Sequence, residues 1–175
     1  MMSPTTLQLF RAIHIVFGAV WLGAVLFLVL FLMPTLKTLG PATGPAIAYL
    51  TNVRKLPIFM MVVPILAILS GLALYGTDSA GFSSAWMRSG PGRMFGLGGG
   101  LAILAAIGGM AVNAPAGKRL GAIGAQIKAQ GGPPTPEQQS EMQRLQQRMT
   151  MTLRGVAVLL ILATLAMAVA RYMPT

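Results

Sequence analysis

From Leu7 to Met33 the chain is apolar at almost every position, broken only by Gln8, Arg11 and His14. Such a run exceeds the ~20 residues needed to cross a bilayer core as a helix. It is also longer than the apolar stretch of a signal peptide, about 7 to 15 residues, and no small-x-small cleavage site precedes Pro34, so the expectation is a span kept in the mature protein. Three further runs follow, at about 58–75, 95–114 and 156–172. Pro57 suits a first helical turn, whereas Pro64 lies inside the second run, removes a backbone hydrogen bond and predicts a kink over 60–64. The pattern predicts an all-α, polytopic membrane protein: a four-transmembrane-helix bundle forming one membrane domain over 1–175.

Between the spans the period changes. In the loop 34–56, Gly44-Pro45 followed by Ile47, Leu50 and Val53 predicts a short interfacial helix ending at Arg54 and Lys55. Phe82 and Trp86, set among Gly and Ser, read as anchors at the headgroup level. After the third span, Leu120, Ile123 and Ile127 keep one helical stripe as far as Gln130, where Gly131-Gly132-Pro133-Pro134 breaks it. Thr135-Pro136-Glu137-Gln138 then has the form of an N-cap, a first-turn proline and a capping-box glutamine. Met142, Leu145 and Met149 give the next helix a matching seam, which predicts a helical hairpin over about 116–153 that extends the third and fourth helices.

Composition excludes other classes. Only 9% of residues are charged against 55% hydrophobic, which is incompatible with a water-soluble globule. Thirteen Lys and Arg against three Asp and Glu give a net charge of +10, but the cations lie between apolar runs and form no aromatic-interleaved nucleic-acid patch. Their placement orients the chain. Arg11, Arg88, Arg93 and Arg171 fall on one side, and Lys37, Arg54, Lys55, Lys118, Arg119, Lys128, Arg144, Arg148 and Arg154 on the other. The positive-inside rule then places both termini outside and the hairpin in the cytoplasm. With no cysteine, one histidine and no carboxylate within a span, most hydrolytic, metal-dependent and ion-coupled chemistries lose their residues.

His14 is the ionisable residue inside an apolar span on which a functional reading turns. Arg11, His14, Gly18 and Trp21 recur at spacings of three and four and so share one face, where Gly18 leaves room for a flat ring or a close helix. Imidazole is an axial ligand for haem iron and a ligand for copper. In the haem reading Trp21 and Phe17 line the porphyrin, and Arg11, Arg93 and Arg171 pair with its propionates. The second ligand would be a Met, His14 of a second copy, or nothing. In the alternative reading a neutral His14 hydrogen-bonds between helices and no cofactor is bound. The thirteen methionines admit a copper-handling reading, weakened because Met60-Met61 and Met149-x-Met151 point to different helix faces. Gly96/Gly100, Ala102/Ala106 and Ala105/Gly109 are small-xxx-small pairs, which predict that the third helix is the most buried, with Asn113 as an interhelical hydrogen-bonding group.

His14 with Trp21-x-Gly23, and an apolar run ending at Met33-Pro34, resembles the copper-resistance protein D-like four-helix membrane proteins of bacteria. That group is similar in layout to the haem-binding membrane protoporphyrinogen oxidase, and the fourth span, ending Met167-Ala168-Val169-Ala170-Arg171-Tyr172, also looks like members of the group. The resemblance implies the bacterial inner membrane and His14 as a ligand of b-type haem. The third span has no lysine or histidine of the kind the oxidase layout leads one to expect, and the expectation is therefore a small non-enzymatic membrane subunit. Its runner-up is a structural accessory subunit that packs against a larger membrane complex or a second copy of itself.

Overall fold

The computed structural model describes residues 3–174, apart from the side chain of Pro41, and every element among them is helical. Four helical stretches are long and apolar enough to cross a membrane: Pro4–Thr38, Leu56–Asp78, Gly90–Gln130 and Pro136–Tyr172. This is the architecture of a multi-pass membrane protein. The first stretch comprises α1 (Pro4–Phe27), a π turn (Leu28–Leu32) and α2 (Met33–Thr38). A 3-10 turn at Gly40–Ala42 leads to α3 (Thr43–Ala48), which loosens into a second π turn over Tyr49–Val53. This is the short helix expected in the first loop. Lys55, with φ of 53°, ends it and turns the chain into α4 (Leu56–Asp78).

Proline starts α4 in its first turn, and Pro64 sits buried within the same unbroken helix. The connection to the third span contains α5 (Ser84–Arg88), and the two long helices are α6 (Gly90–Gln130) and α7 (Pro136–Val169), the latter continued by a 3-10 turn to Tyr172. Local chemistry accounts for their ends. Ser89 accepts from Gly92 N at the start of α6, and Gly131 takes the left-handed conformation that closes it, with φ of 67°. Thr135 and Gln138 form the reciprocal capping box that starts α7. At 41 and 34 residues, α6 and α7 are roughly 62 and 51 Å long, well beyond a ~30 Å hydrocarbon core.

The helices form a ring in which α1 packs on α4, α4 on α6, α6 on α7 and α7 back on α1. Trp21 and Val25 of α1, Val63 and Ala67 of α4, Ala105 and Ala106 of α6, and Val156, Ala157 and Leu160 of α7 meet in one core. The outward faces stay apolar, with Ile15, Phe31, Leu69, Leu104 and Leu165 each more than half exposed, as lipid contact requires. The prediction that the third helix is the most buried is corrected. In the spanning windows 39% of the residues of the fourth stretch are buried, against 17% for the third. The alanines at 157, 163, 166 and 170 of the fourth stretch let its neighbours close on it, while α6 keeps its outward face for lipid.

Beyond the core, α6 and α7 remain zipped. Ile123 is buried between half-buried Leu120 and Ile127, facing half-buried Met142, Leu145 and Met149. Arg119 donates to Glu141 through Nε at 2.7 Å and through Nη2 at 3.1 Å, a bidentate pair across the seam. That pairing holds the Glu141 carboxyl below its ordinary range and raises the Arg119 guanidinium.

Candidate functional site

His14 lies half-buried where α1 crosses α4. Its Nδ1–H donates to the carbonyl of Ala67 at 2.8 Å. Because a carbonyl can only accept, this bond puts a proton on Nδ1, and in the neutral ring the lone pair is then on Nε2. Ser70 Oγ donates to the same carbonyl at 3.1 Å and to Leu66 O at 2.6 Å, so the α4 backbone here is held from two sides. The ring fits because Gly71 has no side chain. A Cβ at 71 would stand 2.7 Å from His14 Cε1 and 3.0 Å from Nδ1.

Nε2 has no hydrogen-bond partner among the described residues, yet it is not sealed in. The buried side-chain polar atom without a partner there is Asn113 Oδ1, not His14 Nε2. Gly18, one turn along α1, has nothing within 4 Å of where its Cβ would be, so the space beside it is open rather than filled by a helix. Trp21 is 4% exposed and belongs to the four-helix core. Phe17 packs partly buried against that core. Arg11, Arg93 and Arg171 are all exposed. Gly90 N donates to Pro174 O, which ties the start of α6 to the C-terminal end of the fourth stretch and brings Arg93 and Arg171 to one end of the bundle. Arg11 precedes His14 by less than one turn of α1. The groups assigned to a haem on sequence grounds thus lie at the same end as His14, with Trp21 deeper in the core.

The packing residues divide. Ala106 is buried and Ala102 partly buried against the core, and a Cβ on Gly109 would make an ordinary 3.7 Å contact with Val156. Gly96 is exposed beside the Tyr75 hydroxyl, and Gly100 is exposed with nothing near it. The close approach of α6 to α7 lies instead at Gly98, where a Cβ would stand 2.8 Å from Met167 Cγ and 3.0 Å from Ala163 O. At Asn113, Oδ1 finds no partner, so the hydrogen bond expected there is not made through that atom. At the opposite end Tyr75 donates to Gly92 O at 3.2 Å and meets Trp86 edge-on at 5.2 Å, which makes Trp86 a brace of the α4 end.

Sequence reasoning missed the α4 half of the His14 site. Its signal was present: Ala67, Ser70 and Gly71 interrupt an otherwise bulky apolar span with small residues, and Ala67 and Gly71 are four apart, on one helix face. Among the described residues no group of three or more His, Cys, Asp or Glu side chains converges to hold a metal ion. Comparison with protein-family models, curated proteins and solved structures finds no match to this chain.

Proposed function

We propose that this chain is a small non-enzymatic subunit of the bacterial inner membrane, with both termini outside the cytoplasm, and that it takes b-type haem through His14. The observation that carries the reading is the 2.8 Å bond from Nδ1–H to Ala67 O. Histidines that ligate metals almost always donate their other ring N–H to a carbonyl or carboxylate, which orients the ring and makes the remaining nitrogen more basic. Here that nitrogen is Nε2. Arg11, Arg93 and Arg171 supply cations for propionates at the same end of the bundle, and the open side of Gly18 tolerates a flat group next to the imidazole. A haem so held would supply one-electron exchange, and the protein's part is to orient the imidazole and screen it with the aliphatic walls of α1 and α4.

The visible spectrum of the detergent-purified protein tests this. A Soret band in the wild type that disappears in His14→Ala, with the helical circular dichroism retained, supports ligation; a His14→Ala protein with the full haem complement eliminates it. A haem-to-chain ratio near one half would indicate two His14 side chains on one haem, in a homodimer. One observation favours a second reading, a structural accessory subunit: the Gly71 notch fits the ring so closely that His14 serves as an interhelical clamp with no cofactor at all. A colourless wild type, together with a loss of about 0.6 to 2 kcal/mol in His14→Ala, would select it.

A further inference from the structure

The chain holds a second polar site, at the other end of the bundle. Where α2 meets α7, Lys37 faces Gln143, Gln147, Met151 and Arg154 across a groove of about 360 Å3. Its lining contains no carboxylate. Of the three in the chain, Asp78 ends α4 at the far side of the bundle, Glu137 belongs to the first turn of α7, and Glu141 is held by Arg119. Among the described residues Arg119–Glu141 is the only ion pair, so Lys37 and Arg154 converge on this groove without a counter-charge.

The depth of the groove is defined by its neighbours. Lys37 follows buried Leu36, and Arg154 precedes Val156 and Ala157, the first core residues of α7 on this side. The two cations therefore sit where the apolar core begins, at the level of lipid headgroups. From the groove an apolar stripe runs down α7 toward the middle of the bundle. Met151, Val158, Ile161 and Leu165 share one face with Arg154 at spacings of three and four, and they are 61%, 56%, 40% and 56% exposed.

We infer that this groove binds an anionic phospholipid: its phosphate ester lies between Lys37 and Arg154, glutamine amides donate to the remaining oxygens, and one acyl chain follows the stripe below Arg154. Charge alone would accept any small anion; continuity with the exposed apolar stripe selects a lipid. Basic pockets between spanning helices on the cytoplasmic side are suited to such headgroups, and the Lys/Arg count assigns this end to the cytoplasm. The inference rests on that orientation and not on haem.

The test uses the full chain purified in a neutral detergent. Phosphatidylglycerol and phosphatidylcholine are titrated separately, with retained lipid read by native mass spectrometry and the unfolding midpoint by circular dichroism. Phosphatidylglycerol should be retained more tightly and raise the midpoint. The double variant Lys37→Gln/Arg154→Gln should bind it on the order of tenfold more weakly. Lys118→Gln/Lys128→Gln, which removes two exposed cations of α6 outside the groove's lining, should bind it as the wild type does. Equal retention of both lipids, equal loss in the two double variants, or the same stabilisation from inorganic phosphate alone would each overturn the proposal. Because both cations are exposed, the double variant should fold, and Lys37→Arg, which keeps the charge, should restore binding in any preparation where Lys37→Gln has lost it.

Discussion

Glycine at 98 should tolerate replacement less well than glycine at 100, although the two lie about half a turn apart in the same run, Gly96-Leu97-Gly98-Gly99-Gly100. Adding a methyl group at 98 places carbon 2.8 Å from Met167 Cγ and 3.0 Å from a backbone oxygen of α7. Carbon pairs are comfortable at about 3.5 to 4.0 Å, so the helices must part by several tenths of an ångström or Met167 must leave its position. Overpacking of this kind costs about 1 to 3 kcal/mol, partly offset by about 1 kcal/mol from replacing glycine with a better helix former. Gly98→Ala should therefore lose roughly 0 to 2 kcal/mol. At 100 the same methyl meets nothing within 4 Å, and Gly100→Ala should gain up to about 1 kcal/mol. Unfolding in mixed micelles with increasing dodecyl sulfate, followed by circular dichroism, measures the difference between the two variants, about 1 to 3 kcal/mol. Gly98→Leu should fail to assemble, and Gly100→Leu should assemble. Indistinguishable unfolding curves for the two alanine variants would refute the register of α6 on α7.

The His14 crossing can be tested by a double-mutant cycle: Gly71→Ala and His14→Ala should each destabilise the bundle, and together cost less than their sum, because either one already breaks the ring's seat on α4; additive losses would place the ring elsewhere. The hairpin should loosen in acid. Pairing with Arg119 depresses the Glu141 carboxyl, so its stabilising contribution is complete above the ordinary glutamate range and is lost as pH falls through the depressed folded value. Protection of amides in 116–153, taken relative to their intrinsic exchange rate, should fall over that acidic window, and Glu141→Gln should remove the part of the fall that the pair contributes, leaving that of Glu137, whose carboxyl its own first-turn hydrogen bonds also depress. Removing the capping hydroxyl in Thr135→Ala should cost about 1 kcal/mol and speed exchange in the first turn of α7, with no effect at the His14 crossing. A reporter active only outside the cytoplasm should work when fused at the C-terminus and fail near Gly132; the reverse pattern would invert the orientation.

What could be read from the sequence follows from the range of each interaction. The spans, the glycine stop at 131 and the capping box at Thr135 depend on residues within a few positions of one another, and each lies where its local pattern put it. The hairpin seam was legible because both halves repeat at helical spacing and one tight connection sets their register. The partner of His14 was not legible, since Ala67 is 53 positions away and acts through its backbone carbonyl, which every residue possesses. The choice of Gly98 over Gly100 was hidden for a related reason. Spacing identifies a stripe of small residues, but the rotation of α6 about its axis, set by Met167 and Ala163 on another helix, decides which glycine the neighbour reaches. Pro115 shows the reverse: inside α6 it does not end the helix, which continues without a break to Gln130.

The π turn at Leu28–Leu32 makes the first helix one residue longer than a regular helix would need to be. Leu28 and Leu36 are each 6% exposed, eight residues apart. At 3.6 residues per turn, eight steps would swing Leu36 about 80° away from Leu28; a turn that takes in one extra residue makes those eight steps behave as seven, close to two full revolutions. The surplus residue can therefore be removed without changing which side chains look inward. A single-residue deletion at Leu30, which points outward and is 58% exposed, should convert the wide turn to an ordinary α turn and leave His14, Trp21 and Leu36 on their present faces. The same deletion at Phe17, in regular helix, would rotate His14 relative to Trp21 by about 100° and dismantle the crossing. Between Trp21 and Leu36, length variation is thus absorbed at this turn, which marks where the first span can lose a residue while the site above it stays intact.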